Sequence, residues 1–261
     1  MNNFNAIAVR DSLCSAILKY MNDNHFNKIV IGVSGGKDSA VAAALCARAM
    51  GPQNVYGVIM PNYFQNDLDD AIRVCKKIGI NYKIVDIGKP NEKLLHAITQ
   101  KNKYNLYDEC PIYSTYTVDF DKESEINMIA RLRMVTLRYI TQSLNALLCG
   151  TGNLSEIMTG YFTIAGDSSW DFNPLGELTC TEVVELGKTM PEIPLDIMAK
   201  SPRDGLSNRT DEDRLGVTYE QIDSYLRQGP SGSEEVDSKI KALIRKSEYK
   251  RNMPLVLVPE V

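Results

Sequence analysis

Ile29-Val30-Ile31-Gly32-Val33-Ser34-Gly35-Gly36-Lys37-Asp38-Ser39-Ala40-Val41 joins an apolar, β-branched run to an Ala-rich helix through a Ser-Gly-Gly turn. A strand that ends in such a turn brings free backbone N–H groups and the positive end of a helix dipole to one spot, which suits a phosphate group. The spacing is not that of a Walker A loop, which needs four residues between its first glycine and Gly-Lys-Ser/Thr. Here Lys37 is followed by Asp38, and position 31 is Ile. The hydroxyls of Ser34 and Ser39 and the carboxylate of Asp38 also set the stretch apart from an ordinary strand–helix turn.

Outward from this loop the chain alternates regularly. Residues 5–22 carry Ala6, Val9, Leu13, Ile17 and Tyr20 at helical steps, before a first strand at 28–33. A helix over 38–50, stopped by Gly51-Pro52, leads to a strand at 55–60 and a loop at 61–66. A helix at 67–78, closed by Gly79, and a strand at 81–87 repeat the unit. This order predicts an α/β fold with a doubly wound parallel sheet flanked by helices, whose ligands bind beyond the carboxyl ends of the strands. The stretch 101–122, rich in Tyr, Asn, Asp and Pro, reads as a long loop. A helix over 123–145 carries Arg131, Arg133 and Arg138, and a fourth strand at 146–149 ends in Gly150-Thr151-Gly152-Asn153. The remainder is loop-rich, with helices at 179–189, 218–227 and 234–247 and a polar segment at 201–206, giving a helical C-terminal part. No internal repeat, low-complexity tract or linker divides the chain.

The 261 residues, 44% hydrophobic and 24% charged, suit a single domain, 1–261, with an ample core. A net charge of −4 argues against a generic nucleic-acid binder. No apolar run approaches the length of a membrane span and the N-terminus shows no secretory signal, so no membrane association and a cytoplasmic location are expected. Six scattered cysteines contain no CxxC pair and read as reduced thiols, and only two histidines are present. Chemistry must therefore rest on carboxylates, cations, backbone amides and a bound metal.

The Ser-Gly-Gly-x-Asp-Ser pattern resembles the pyrophosphate loop of the ATP-pyrophosphatase superfamily, whose members split ATP between the α and β phosphates. That reaction needs a magnesium ion, and Mg²⁺ is commonly held by one or two protein carboxylates with water and phosphate. Asp38 can supply one oxygen. Glu156, following the turn after the fourth strand, is the next candidate, although taken alone it reads rather as a solvated or helix-capping carboxylate.

Further motifs sharpen the resemblance. Asn127-x-x-Ala130-Arg131-x-Arg133-Met134, Gly150-Thr151-Gly152-Asn153-Leu154-Ser155-Glu156, Gly160-Tyr161-Phe162-Thr163 with Gly166-Asp167, and Asp171 with Pro174-Leu175 are similar to NAD synthetase. Thr210-Asp211-Glu212-Asp213-x-Leu215-Gly216 and Lys250-Arg251-x-x-Pro254 continue the similarity to the end of the chain. The resemblance implies an adenine-nucleotide-hydrolase-like sheet and the ATP- and Mg²⁺-dependent amidation of nicotinate adenine dinucleotide (deamido-NAD) by ammonia through an acyl-adenylate. It implies that Gly32, Ser34, Gly35, Gly36, Asp38, Ser39 and Thr151 bind ATP and that Asp38 and Glu156 hold the metal; Lys37, at a loop position often apolar in the family, is added to the ATP-binding candidates from its place in the turn. Arg131, Asp171, Tyr249 and Lys250 would meet deamido-NAD, and Asp167 would face the nicotinate ring or help deliver ammonia. Outside its motif, Arg131 reads as a surface ion-pair partner. A homodimer is also implied. With the first strand at residue 28, no glutaminase domain is expected, and ammonia is the expected nitrogen source. The alternatives are an adenylating amide synthetase for a different carboxylate and a non-catalytic ATP-binding protein.

The chain departs from the family at four positions. Ile164 and Ala165 stand where Lys and an aromatic are common, Cys180 stands where Lys is common, and Tyr249 stands where His is common. Lys37, and Lys200 or Arg203, are the candidates to replace the missing positive charge.

Overall fold

Val30, Val58 and Leu148 turn to one side of the sheet and Ile29, Ile31, Val55 and Ile59 to the other, so both faces of these strands require helices over them. The computed structural model describes residues 4–63, 67–99, 119, 121–200 and 211–252. The order of elements is α1 (Ala6–Asp23), β1 (Ile29–Gly32), α2 (Lys37–Met50), β2 (Val55–Ile59), α3 (Leu68–Ile78), β3 (Asn81–Ile84), α4 (Gly88–Thr99), α5 (Lys122–Leu144) and β4 (Leu147–Cys149). It continues with α6 (Leu154–Thr159), α7 (Cys180–Lys188), α8 (Leu195–Met198), α9 (Asp211–Leu215), α10 (Tyr219–Gln228), α11 (Glu234–Lys246) and α12 (Glu248–Arg251).

The four strands are parallel in the order β3-β2-β1-β4. The chain steps outward from β1 to β3, then crosses back to place β4 on the other side of β1. The direction of winding reverses at β1, which opens a crevice beyond the carboxyl ends of β1 and β4. The doubly wound α/β architecture expected from the sequence is therefore present.

α2 is buried along most of its length. Ala40, Ala42, Ala43 and Ala44 are fully buried, and their small side chains let α1, α7 and the sheet close upon one helix. The opposite face is covered by α5, whose Ile129, Met134 and Leu137 pack on Val30, Val58 and Leu148. A third cluster, including Leu215, Val217, Tyr219, Ile222 and Ile240, forms the core of the C-terminal helices. Asp223 ties those helices to the rest of the fold. Its Oδ1 accepts from Ser155 Oγ at 2.5 Å and its Oδ2 from Thr181 N at 2.7 Å.

Several elements differ from expectation, among them the short helices α6, α8, α9 and α12, none of which is expected from the sequence. β3 ends at Ile84 rather than at residue 87, and α4 follows where no helix was expected. Gly88-Lys89-Pro90 has the look of a break, but proline is tolerated in the first helical turn, where its missing N–H would have no intrahelical partner. The loop expected over 101–122 lies almost wholly outside the described residues, as does 201–206. Among the described residues no helix is long and apolar enough to cross a membrane.

Candidate active site

The turn after β1 is held by its own hydroxyls. Ser39 Oγ donates to the Gly36 carbonyl at 3.1 Å and accepts from Ser34 N at 3.2 Å, and Ser34 Oγ accepts from Gly36 N at 3.2 Å. Gly36 is the N-cap of α2 and supplies no side chain to it. The first-turn N–H groups of α2, with the positive end of its dipole, are left for an anion.

β4 delivers the second turn beside the first. Gly150 N donates to Phe172 O at 2.8 Å, and a Cβ at Gly150 would lie 2.6 Å from the Trp170 ring, so glycine lets this indole pack against the turn. Asn153, fully buried, caps α6. Its Oδ1 accepts from Glu156 N at 3.0 Å, and its own N–H donates to Glu156 Oε2 at 2.9 Å, a reciprocal capping box. The Nδ2 of the same asparagine donates to Asp38 Oδ1 at 3.1 Å. Asn153 thus holds Asp38 and Glu156 on either side of itself, although they are far apart in the chain.

This pair fits a divalent cation. Burial, and after it the charge of Asp38, pushes the Glu156 carboxyl well above the ordinary range, which marks a site short of positive charge. Among the described residues no group of three or more potential ligands is present, so water and substrate phosphate would complete the shell, as Mg²⁺ prefers. Lys37 provides the nearest cation, 3.2 Å from Asp38 Oδ2. Burial works against its charge, but Asp38, Cys180 and Glu156 more than offset this and push its pKa up. The Cys180 thiol beside it is pushed up to about 12 by burial.

A cavity of about 390 Å³ runs from these turns along α5. Gly32, Ser34, Ser39, Thr151 and Glu156 line one part; Asn127, Arg133, Phe162, Asp167, Trp170, Arg214 and Lys250 line the other. Lys250 Nζ donates to the carbonyls of Gly160 and Phe162, both at 2.8 Å, and sits 5.1 Å from the Phe162 ring centroid. Desolvation lowers the pKa of this ammonium. Asp167 Oδ1 accepts from Thr163 N at 2.7 Å; desolvation raises its carboxyl against the opposing pull of that bond, Lys250 and Arg133.

The structure thus brings seven of the sequence candidates to one cavity: Gly32, Ser34, Ser39, Thr151, Glu156, Asp167 and Lys250. Gly35, Gly36 and Asp38 belong to the same turn without lining the cavity. Lys37, Arg131, Asp171 and Tyr249 also stand outside its wall. Arg131 is exposed and donates to Ile164 O at 3.2 Å, while Tyr249 is 67% exposed. Arg133, quoted in a motif but given no role, lines the cavity and donates to Met60 O at 3.2 Å. Helical spacing could have found it, because Ala130, Arg133, Met134 and Leu137 form one stripe on α5. Lys200 is held by Asp67 at 2.7 Å and by Asp70, and Arg203 lies outside the described residues.

Asp171 is engaged with the frame of the fold. Its Oδ1 accepts from Arg138 Nη1 at 2.6 Å and its Oδ2 from Leu148 N at 2.7 Å, which fastens the chain after the cavity to β4. We expect Asp171→Ala to lower stability by about 2 kcal/mol, chiefly by orphaning the Leu148 N–H, with substrate KM values held to within about twofold. Thermal unfolding and steady-state kinetics check this, and a large KM rise at wild-type stability would return Asp171 to the substrate.

The NAD synthase family model matches residues 9–254. The NH(3)-dependent NAD(+) synthetase of Pyrococcus furiosus is 35% identical, over 94% of this chain and 93% of its own. Among solved structures, NMN synthetase from Francisella tularensis aligns with a TM-score of 0.85 at 31% identity, covering 99% of this chain and 100% of the other. The NH3-dependent NAD synthetase from Campylobacter jejuni aligns at 0.74 and 28%, covering 97% and 99%. With a family match spanning nearly its whole length and a relative above one-third identity, the chain belongs to the NAD synthase family.

Proposed function

We propose that the protein amidates the nicotinate carboxylate of deamido-NAD with ammonia, consuming ATP and releasing AMP and pyrophosphate. The observation that carries this reading is the shared cavity. A phosphate-binding turn and the Glu156 carboxylate open into the same space as Arg133, Phe162, Asp167 and Lys250. The turn and the α2 terminus would hold the ATP phosphates while a nicotinate carboxylate oxygen attacks the α phosphorus and the bond to the β phosphate breaks. Asp38 and Glu156 would hold Mg²⁺, which when bound supplies charge to the phosphates. Ammonia then adds to the activated carbonyl carbon, the bond to AMP breaks, and the nitrogen sheds a proton. Asp167, with its raised carboxyl, is suited to receive it. Holding two anionic substrates in register accounts for much of the expected acceleration.

The reading includes a cytoplasmic homodimer. It is supported by Val135 and Tyr139, 66% and 75% exposed one turn apart on α5, and by the exposed Leu94 and Ile98 of α4, which packs on α5.

A second reading has one observation in its favour. The NMN synthetase structure aligns more closely than the C. jejuni enzyme, which points to the smaller acid, nicotinate mononucleotide. One experiment tests both. Purified protein is incubated with ATP, Mg²⁺, ammonium and either acid, AMP and amide are quantified, and the preparation is sized by light scattering. We expect equimolar AMP and NAD, a kcat/KM for deamido-NAD at least about tenfold above that for the mononucleotide, and a mass twice the 29.2 kDa of the chain. The reverse substrate order would establish the second reading, and ATP binding without AMP release would leave a nucleotide-binding protein.

A further inference from the structure

We propose that Lys37 is a built-in counter-ion of the Asp38–Glu156 carboxylate pair, a positioning residue that weakens divalent-cation binding at the nucleotide-free site. Lys37 opens α2 and is only 6% exposed. Its Nζ lies 3.2 Å from Asp38 Oδ2 and 5.8 Å from the centroid of the Tyr219 ring, and it does not line the cavity. A buried ammonium needs a charged partner, and Asp38 supplies one while the aromatic face adds a second, weaker attraction. The ammonium is therefore placed against the carboxylates rather than in the cavity wall. Two carboxylates fixed on either side of Asn153 invite a cation; Lys37 already provides one positive charge there. A divalent ion arriving alone meets both a partly neutralised pair and a fixed ammonium. An ion arriving with nucleotide brings phosphate oxygens of its own, so ATP and metal are expected to load together.

The inference rests on the metal-binding role proposed for Asp38 and Glu156, and the test separates the two. Mn²⁺ alone is titrated into the nucleotide-free full chain, with free Mn²⁺ followed by electron paramagnetic resonance and the fold checked by circular dichroism. Lys37→Met is expected to bind Mn²⁺ about tenfold more tightly than wild type, Lys37→Arg to match wild type, and Glu156→Gln to bind much more weakly. Lys37→Gln keeps a donor for Asp38 without the charge. It is expected to give the same tightening, and it decides the matter should Lys37→Met not fold. Mn²⁺ affinity unchanged or weakened in the uncharged Lys37 variants, with binding lost in Glu156→Gln, would overturn the Lys37 proposal alone. Binding unaffected by Glu156→Gln would overturn the metal reading and this inference with it. A lysine that merely filled space would be replaced without any shift in Mn²⁺ affinity.

Discussion

Glu156→Gln is expected to lower kcat/KM by on the order of 10³-fold, about 4 kcal/mol, while leaving the protein as stable as wild type or more so. The two effects separate because Glu156 does two jobs. As the third residue of α6 it closes the capping box by accepting from Asn153 N at 2.9 Å, and a glutamine carbonyl can accept that bond equally well. As a charge it is buried and shares a confined site with Asp38, and burial, with that repulsion after it, raises its carboxyl. A carboxyl whose folded pKa is raised binds its proton more tightly in the folded state. Its ionisation therefore opposes folding once pH exceeds the unfolded value of about 4.5, and the penalty grows until pH passes the folded pKa. At neutral pH the amide removes that penalty together with the charged carboxylate proposed to hold the metal. Thermal unfolding beside steady-state assays would show a Tm held or raised and turnover nearly abolished. Activity within about tenfold of wild type would remove Glu156 from the metal.

The Ser-Gly-Gly turn could be read directly because its signal is local. Strand, turn and helix are contiguous, and Ser34, Gly36 and Ser39 satisfy one another within six residues. The sheet followed for the same reason, since each βα unit carries its own periodicity and stop signals. What escaped depends on partners distant in the chain. The surroundings of Lys37 are one case: the ring it faces, Tyr219, and the thiol beside it, Cys180, belong to the C-terminal half. Asp171 sits in a family-like motif, yet its carboxylate is occupied by Leu148 N and Arg138, contacts created only when residues 171–172 dock on β4. Asn153 is an intermediate case. The Asn-x-x-Glu spacing marks a helix start in the sequence, whereas its bond to Asp38 exists only because β1 and β4 are neighbours. Arg131 and Arg133 lie two positions apart on α5, and a helix turns about 200° over that interval. One arginine therefore had to face away from the cavity, and the sheet-facing stripe decides which.

Gly35→Ala is expected to be the most damaging single-methyl change in the phosphate-binding turn. Gly35 has φ +87°, in the left-handed region that side chains avoid. A Cβ there would also stand 2.5 Å from Asp67 O and 3.0 Å from Ala71 N. Both are backbone atoms of the first turn of α3, joined to each other by a 2.9 Å hydrogen bond, so neither can rotate aside. The turn or α3 must shift. Dihedral strain of about 1 kcal/mol and overpacking of about 1–3 kcal/mol predict a total loss near 2–4 kcal/mol. The displacement falls on Ser34 and on Gly36, the N-cap of α2, and so on the first-turn N–H groups proposed to meet phosphate; an error of about 1 Å in such a site costs on the order of 10²-fold in rate. Gly79 supplies the control. Its φ is +83°, but an added Cβ would meet only Pro52 Cβ at 4.0 Å, so Gly79→Ala carries the dihedral strain without the clash. Gly79→Ala should lose about 1 kcal/mol and keep its KM for ATP; Gly35→Ala should lose more stability and about two orders of magnitude in kcat/KM for ATP. Matching unfolding curves and matching ATP kinetics for the two variants would show that the turn is not held against α3 at Gly35.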